Sequence, residues 1–220
     1  MKQDTIKHHL TDGLLMAYSA GTLPEAFSLA VAVHISMCDE CRARLGAFDA
    51  LGGALVEAAP ATDMSDGSLE ATLAMIEAGG GQAATARPAA PRAKGVLPSP
   101  VQEYVGGDLD AVRWRPIGMG VKQAILPTAP DATARLLYIP AGAAVPDHGH
   151  AGTELTLVLQ GAFDDEIDHF GPGDIEVADE EVDHTPVADI GADCICLAAT
   201  DAPLKFRSWM PRMAQPFLRI

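Results

Sequence analysis

One run near the middle of the chain does most to limit the fold. Gly79 to Pro100 reads GGGQAATARPAAPRAKGVLPSP, with basic charges at Arg87, Arg92 and Lys94 and no acids. It is rich in Gly, Ala and Pro and has no hydrophobic period, the composition of a flexible connector and not of a packed element. The 220 residues therefore divide into a first domain over 1–80, a linker over 81–100 and a second domain over 101–220.

The two halves differ in period. In the first, Leu14, Leu15 and Tyr18 share one face of a helix that Gly21 ends, and Pro24 suits the first turn of the next. Phe27, Ala30, Val31 and His34 then recur at spacings of three and four. Leu45, Phe48, Leu51 and Leu55 predict a third helix from about Asp39, and Ser68, Leu69, Leu73 and Ile76 a fourth. Four short helices make an all-α domain with a small core, which a metal staple would strengthen. The second half reads as all-β. Trp114–Ile117, Val121–Leu126, Arg135–Ile139, Glu154–Leu159, Ile175–Val177 and Cys194–Leu197 are short strands set off by Gly and Pro turns. This pattern predicts a sandwich or barrel, with the tail from Asp201, which holds Phe206, Trp209 and Phe217, closing one face or docking elsewhere.

Charge narrows the partners. Thirty acids against fifteen Lys and Arg give a net charge of -15. That argues against direct binding of nucleic acid or anionic lipid and leaves a basic protein partner open. The apolar run Ala26–Ile35 is broken by Ser28 and His34 and is too short for the roughly 20 residues of a membrane span. Met1 to Asp12 lacks the apolar stretch of a signal peptide, so a cytoplasmic location is expected.

Two constellations carry chemistry. His34-Ile-Ser-Met-Cys38-Asp-Glu-Cys41 has the form HxxxCxxC. On a helix, His34 and Cys38 leave one face, and Cys41 follows at the turn, so an imidazole and two thiols converge as Zn²⁺ ligands. A closed site needs a fourth ligand, and the spacing leaves His8 and His9 as equal choices. The second, Gly142-AAVPD-His148-Gly-His150-AGT-Glu154-LTLVLQ-Gly161, places His148 and His150 on one face of a strand with a carboxylate after them. His184 offers a further imidazole. Three His and one Glu suit Zn²⁺ or another divalent metal. Cys194 and Cys196 share a strand face and read as buried core residues, with an oxidant-accessible thiol pair as the alternative. His169 reads as a surface residue in the acidic run 164–168.

Together the motifs resemble the ChrR-type anti-sigma factors, in which a zinc-binding helical domain is joined to a cupin. The upstream His8-His9-Leu-Thr-Asp12, the run Ala17-Tyr18-Ser19-Ala20-Gly21-Thr22-Leu23 and Cys38-Asp-Glu-Cys41-Arg42 also look like that family. The resemblance covers nearly the whole chain. It implies a four-helix zinc anti-sigma domain and a cupin, a double-stranded β-helix barrel. It implies zinc on His9, His34, Cys38 and Cys41, choosing His9 over His8, and a cupin metal on His148, His150, Glu154 and His184. The function implied is non-enzymatic. The protein would hold an extracytoplasmic-function sigma factor inactive, one to one, until singlet oxygen or a related oxidant appears, the cupin half being needed for the response. Leu14, Leu15, Phe27 and Leu29 would supply the docking surface. One departure from the general cupin pattern is that His184 lies further along than usual and no Asn follows at the usual place. The competing readings are a metal-dependent cupin oxygenase or isomerase with a helical attachment, and a sensor of metal supply.

Overall fold

The computed structural model describes residues 6–78 and 95–206. Most of the expected linker and the Trp209 and Phe217 part of the tail lie outside the described residues.

The four expected helices are present. Helix α1 spans Asp12–Ser19, with Thr11 accepting from the Leu14 N–H at its N-cap. Gly21 follows in the left-handed region at φ +67°, where a glycine costs least. Helix α2 spans Glu25–Met37, α3 Asp39–Ala58 and α4 Ser68–Glu77. Sequence reading missed α5, Ser99–Val105, which begins just inside the expected linker. Pro98 and Pro100 read there as loop residues, yet both suit a helix start. Leu97 and Val101 are fully buried, so the ordered chain resumes before the expected boundary.

The second half is a barrel, the double-stranded β-helix that the motif implied. Six antiparallel strands form one wall: β1 Arg115–Gly118, β2 Val121–Ile125, β3 Thr133–Ile139, β5 Glu154–Gln160, β8 Ile175–Ala178 and β11 Cys194–Thr200. Their order is β1-β2-β3-β11-β5-β8. Two small sheets complete it. One holds β6 Phe163–Asp164, β7 His169–Phe170 and β10 Val187–Ala188; the other holds β4 His148–His150, β9 Asp183–His184 and β12 Leu204–Phe206. The start of the tail does close a face, since β12 pairs with β4 through Leu204 opposite His150.

The two halves do not keep separate cores. Strand alternation gives the large wall two buried faces. Leu155, Leu157, Ile195 and Leu197 belong to one cluster with Leu29, Ala30 and Val33 of α2, whereas Val158, Cys194 and Cys196 join Phe163 and Phe170 on the other face. Helix α2 is apolar nearly all round, as a helix buried on several sides must be. It contacts α1, α3 and α5 as well as β3, β5 and β11. Its first turn is tied down by Glu25, which accepts from the Tyr104 hydroxyl at 2.6 Å and from the Ala129 N–H at 2.7 Å.

This packing overturns the expected docking surface. Leu15, Phe27 and Leu29 are core residues and Leu14 is half-buried, because α1 packs on α2 and α3 and α2 packs on the barrel wall. In the helical half, the exposed large apolar residues are mostly on the second half of α3 and on α4, with Met16 on α1 and Met64 between α3 and α4.

A second link joins the halves. Asp174, buried after the Gly171-Pro-Gly173 turn, accepts from the backbone N–H groups of Lys7 (2.6 Å), His8 (2.9 Å) and Gly171 (2.9 Å). The Ile175 N–H donates in turn to the His8 carbonyl. Gly173 sits at φ +91°, where a side chain would be strained, and a Cβ there would lie 2.6 Å from the Ile6 side chain and force it to shift. Burial alone would raise the Asp174 pKa, but the N–H donors of His8, Gly171 and Lys7 outweigh it and hold it below the ordinary carboxylate value.

Replacing Asp174 with Ala should therefore cost about 2 kcal/mol, or roughly 4–8 °C in Tm. Because the folded-state pKa is depressed, this stability is present above the unfolded value near 3.8 and is lost as pH falls below it. Thermal melts of wild type and Asp174→Ala from pH 7 to pH 3 should converge at the acid end, and a constant gap would contradict the assignment.

Candidate metal centres

The first centre forms where α2 hands over to α3. Cys38 is both the last cap of α2 and the N-cap of α3, and its sulfur accepts from the Cys41 N–H at 3.4 Å. His34 projects one turn earlier, fully buried. The segment before α1 supplies the fourth group: His9 Nδ1 lies 3.3 Å from Cys38 Sγ and 3.6 Å from Cys41 Sγ. Tetrahedral zinc with ordinary bond lengths separates its N and S ligands by ~3.5 Å. One atom from each of His9, His34, Cys38 and Cys41 falls within 4.8 Å of the others.

The chemistry of these donors fits a metal. Neither His34 ring nitrogen has a well-formed hydrogen bond. Burial pushes the His34 pKa down to about 4, the Gly173 backbone opposing, so the ring is a neutral donor. Burial likewise lifts the Cys41 thiol to about 11, a proton that bound zinc would displace. His9 turns its other nitrogen to Glu40, 3.4 Å from Nε2, as metal-bound imidazoles commonly turn to a carboxylate. His8 faces the opposite way, its ring tilted 39° against Phe170 at 4.3 Å between centroids, with Nε2 3.2 Å from Asp168. Adjacent residues in an extended segment point to opposite sides, so one histidine reaches the thiols and the other the barrel.

The second centre lies inside the barrel. Strand pairing sets His148 directly opposite His184, and His150 shares the His148 face. His148, His150 and His184 bring one ring nitrogen each within 4.8 Å of one another. His150 Nε2 and His184 Nε2 stand 3.2 Å apart, while His148 Nδ1 donates to the Pro146 carbonyl at 2.8 Å. Glu154 stands at the edge of this group. Its Oε2 is 3.9 Å from His150 Nδ1, and Thr156 donates to its Oε1 at 3.0 Å. The structure thus brings three of the four expected ligands into one cluster and leaves the carboxylate beside it.

Sequence reading missed the acids behind His184. Its Nδ1 lies 2.9 Å from Glu176 and 3.0 Å from Asp165. Burial would lower the His184 pKa, but Glu176 and Asp165 reverse this and raise it to about 9. Burial pushes Glu176 up to about 7 against the pull of His184. For His148 and His150 burial wins: it lowers both pKa values against the opposing charge of Glu154. The available signal was Glu176 itself, an acid inside an apolar strand and out of phase with Ile175 and Val177. The thiols of Cys194 and Cys196 are buried 3.5 Å apart on the barrel's inner face. Their mutual contact and burial raise the Cys196 pKa far above normal, which suits a core residue and not a nucleophile. His169 is exposed beside Asp164.

A helical Cys/His unit packed on a cupin defines the class. A family model described as the ChrR cupin-like domain matches residues 102–202. The chain is 61% identical over 216 residues to anti-sigma-E factor ChrR of Cereibacter sphaeroides, covering 98% of this chain and 100% of that one. The crystal structure of Rhodobacter sphaeroides SigE in complex with the anti-sigma ChrR contains a chain 59% identical to it, with a TM-score of 0.77 over 90% of this chain and 100% of that chain. The chain belongs to the ChrR family of anti-sigma factors. It is a regulatory protein and not an enzyme.

If His9 and not His8 holds the first metal, His9→Ala should halve the metal content of a chain loaded with two equivalents. His8→Ala should leave it whole. Glu176→Gln should keep the second metal but weaken it 10–100-fold, as loss of an outer-shell carboxylate does. Elemental analysis and chelator competition read all three, and loss of metal in His8→Ala would reverse the assignment.

Proposed function

We propose that this chain binds an extracytoplasmic-function sigma factor one to one, holds it inactive, and releases it when singlet oxygen or a related oxidant acts on the cupin half. The crystallised relative bound to SigE supports the partner class. The observation that carries the reading is an uncovered apolar surface. Leu51 and Leu55 on α3 are 55% and 66% exposed, and Leu69, Leu73 and Ile76 on α4 are 65%, 48% and 69% exposed. On α4 these three follow a helical stripe, yet no residue of that helix is buried. A ten-residue helix is marginal alone in water and gains from a partner that covers such a stripe.

Charge favours the same partner. A sigma factor's DNA-facing surface is basic, and a chain of net charge -15 complements it. No helix among the described residues is long and apolar enough to cross a membrane. The place of action is the cytoplasm, where RNA polymerase works.

Zinc is the metal that best suits the two-thiolate first centre, where it would be structural. The barrel centre, with nitrogen and oxygen donors only, suits zinc or another divalent ion. The two functional units are the zinc-binding part within 1–80 and the cupin within 101–220, joined by 81–100. Two routes lead from the barrel wall to the zinc centre: α2, which packs on the outer face of the wall and carries His34, and the 6–9 segment held by Asp174.

The test uses the full chain. Replacing Leu51 and Leu55, or Leu73, with Asp should weaken sigma binding at least 100-fold, the scale of a lost interface anchor. Metal content and Tm should stay near wild type, since these side chains are exposed. Co-purification of the double variant with sigma at wild-type strength would overturn the surface.

A further inference from the structure

Between the large wall and the small sheets lies a cavity of about 320 Å³. Its lining is mostly apolar, with Ile117, Leu137, Ile139, Val145 and Phe163 among the side chains. His148, His184, Glu154 and Glu176 of the candidate metal centre also line it, and Arg135 is the one guanidinium among the lining residues. It projects from β3 to the same face as Leu137 and Ile139 and is only 6% exposed.

Strand register shows what stands beside it. Arg135 pairs with Ala198, Ala198 with Thr156, and Thr156 with Glu176. The two charged ends of this row are three strand spacings apart, ~14 Å along the sheet. The residues between them are small, so the row leaves open space above Ala198 and Thr156.

The guanidinium is poorly satisfied. Its Nη1 donates to Gln123 Oε1 at 3.3 Å, and its buried Nε has no hydrogen-bond partner. No carboxylate among the described residues lies within ion-pair distance of it. Glu154 is near enough to oppose the drop in pKa that burial causes, but its own oxygens engage Thr156 and His150. A guanidinium has five donors and stays protonated, so it cannot be a metal ligand. A buried charge of this kind calls for an anion.

We propose that the cavity binds an organic monocarboxylate with an aliphatic body. The carboxylate sits on Arg135, and the body lies against Ile117, Leu137, Ile139 and Phe163. This goes beyond the anti-sigma reading and gives the cupin half a small-molecule input. It stands or falls independently of sigma binding.

The experiment is calorimetric titration of the metal-loaded full chain with octanoate, hexanoate and 1-octanol. Octanoate should bind one to one. Hexanoate should bind about fifteenfold more weakly, since each buried methylene is worth about fourfold. Octanol, which keeps the body and lacks the charge, should bind at least tenfold more weakly than octanoate. Arg135→Met should remove this preference for octanoate over octanol. Leu137→Trp, which fills the cavity and keeps the charge, should abolish binding of all three, and it carries the test if Arg135→Met fails to fold. Three results would overturn the proposal: no saturable octanoate binding to millimolar concentration, equal binding of octanoate and octanol, or wild-type octanoate affinity in folded Arg135→Met. The last would place the carboxylate on the metal instead.

Discussion

Everything in this structure hangs on where helix α2 lies. Its Leu29, Ala30 and Val33 share one buried cluster with Leu155, Leu157 and Leu197 of the barrel wall. Its last turn carries His34 into the thiol cluster. Its first turn is fixed through Glu25 to Tyr104 and Ala129. The Cys/His helical unit thus completes its core on the outside of the barrel. Four short helices alone offer little apolar area to bury, and the sheet supplies the rest. A change in the wall is therefore felt at His34, because close-packed interiors transmit strain.

The two metal clusters follow one physical design on different backbones. A helix aligns side chains four apart and a strand aligns those two apart, so His34/Cys38 and His148/His150 each converge without a special loop. Carboxylates then orient the imidazoles from behind: Glu40 at His9, and Glu176 with Asp165 at His184. Burial keeps His34, His148 and His150 neutral and ready to donate. His8 and His9 show how closely the clusters are joined. One residue reaches the barrel and the next reaches the thiols, with Asp174 gripping the backbone before them.

Much of this was legible in the chain. The helices of the first half and the main strands of the second are present because each carries its own period. The ligand groups were visible because metal ligation needs particular side chains at particular spacings. What escaped depends on contacts between distant segments. Leu15, Phe27 and Leu29 show apolar spacing but not which surface receives it, so a core face read as a free one. Helix α5 hid behind two prolines. Glu154 belongs to the motif by spacing, yet its carboxylate is engaged by Thr156 at the rim of the histidine cluster. Arg135 looked like an ordinary strand residue until the register placed it inside the barrel.

The Cys/His helical unit and the cupin wall form one cooperative body through α2. Native-state hydrogen exchange of the metal-loaded full chain tests it directly. Amides of Leu29–His34 in α2 and of Cys194–Thr200 in β11 should open in the same event, with matching free energies and matching denaturant dependence. Opening of α2 together with α1 and α3 at clearly lower free energy, while β11 stays closed, would show two independent units and contradict the account.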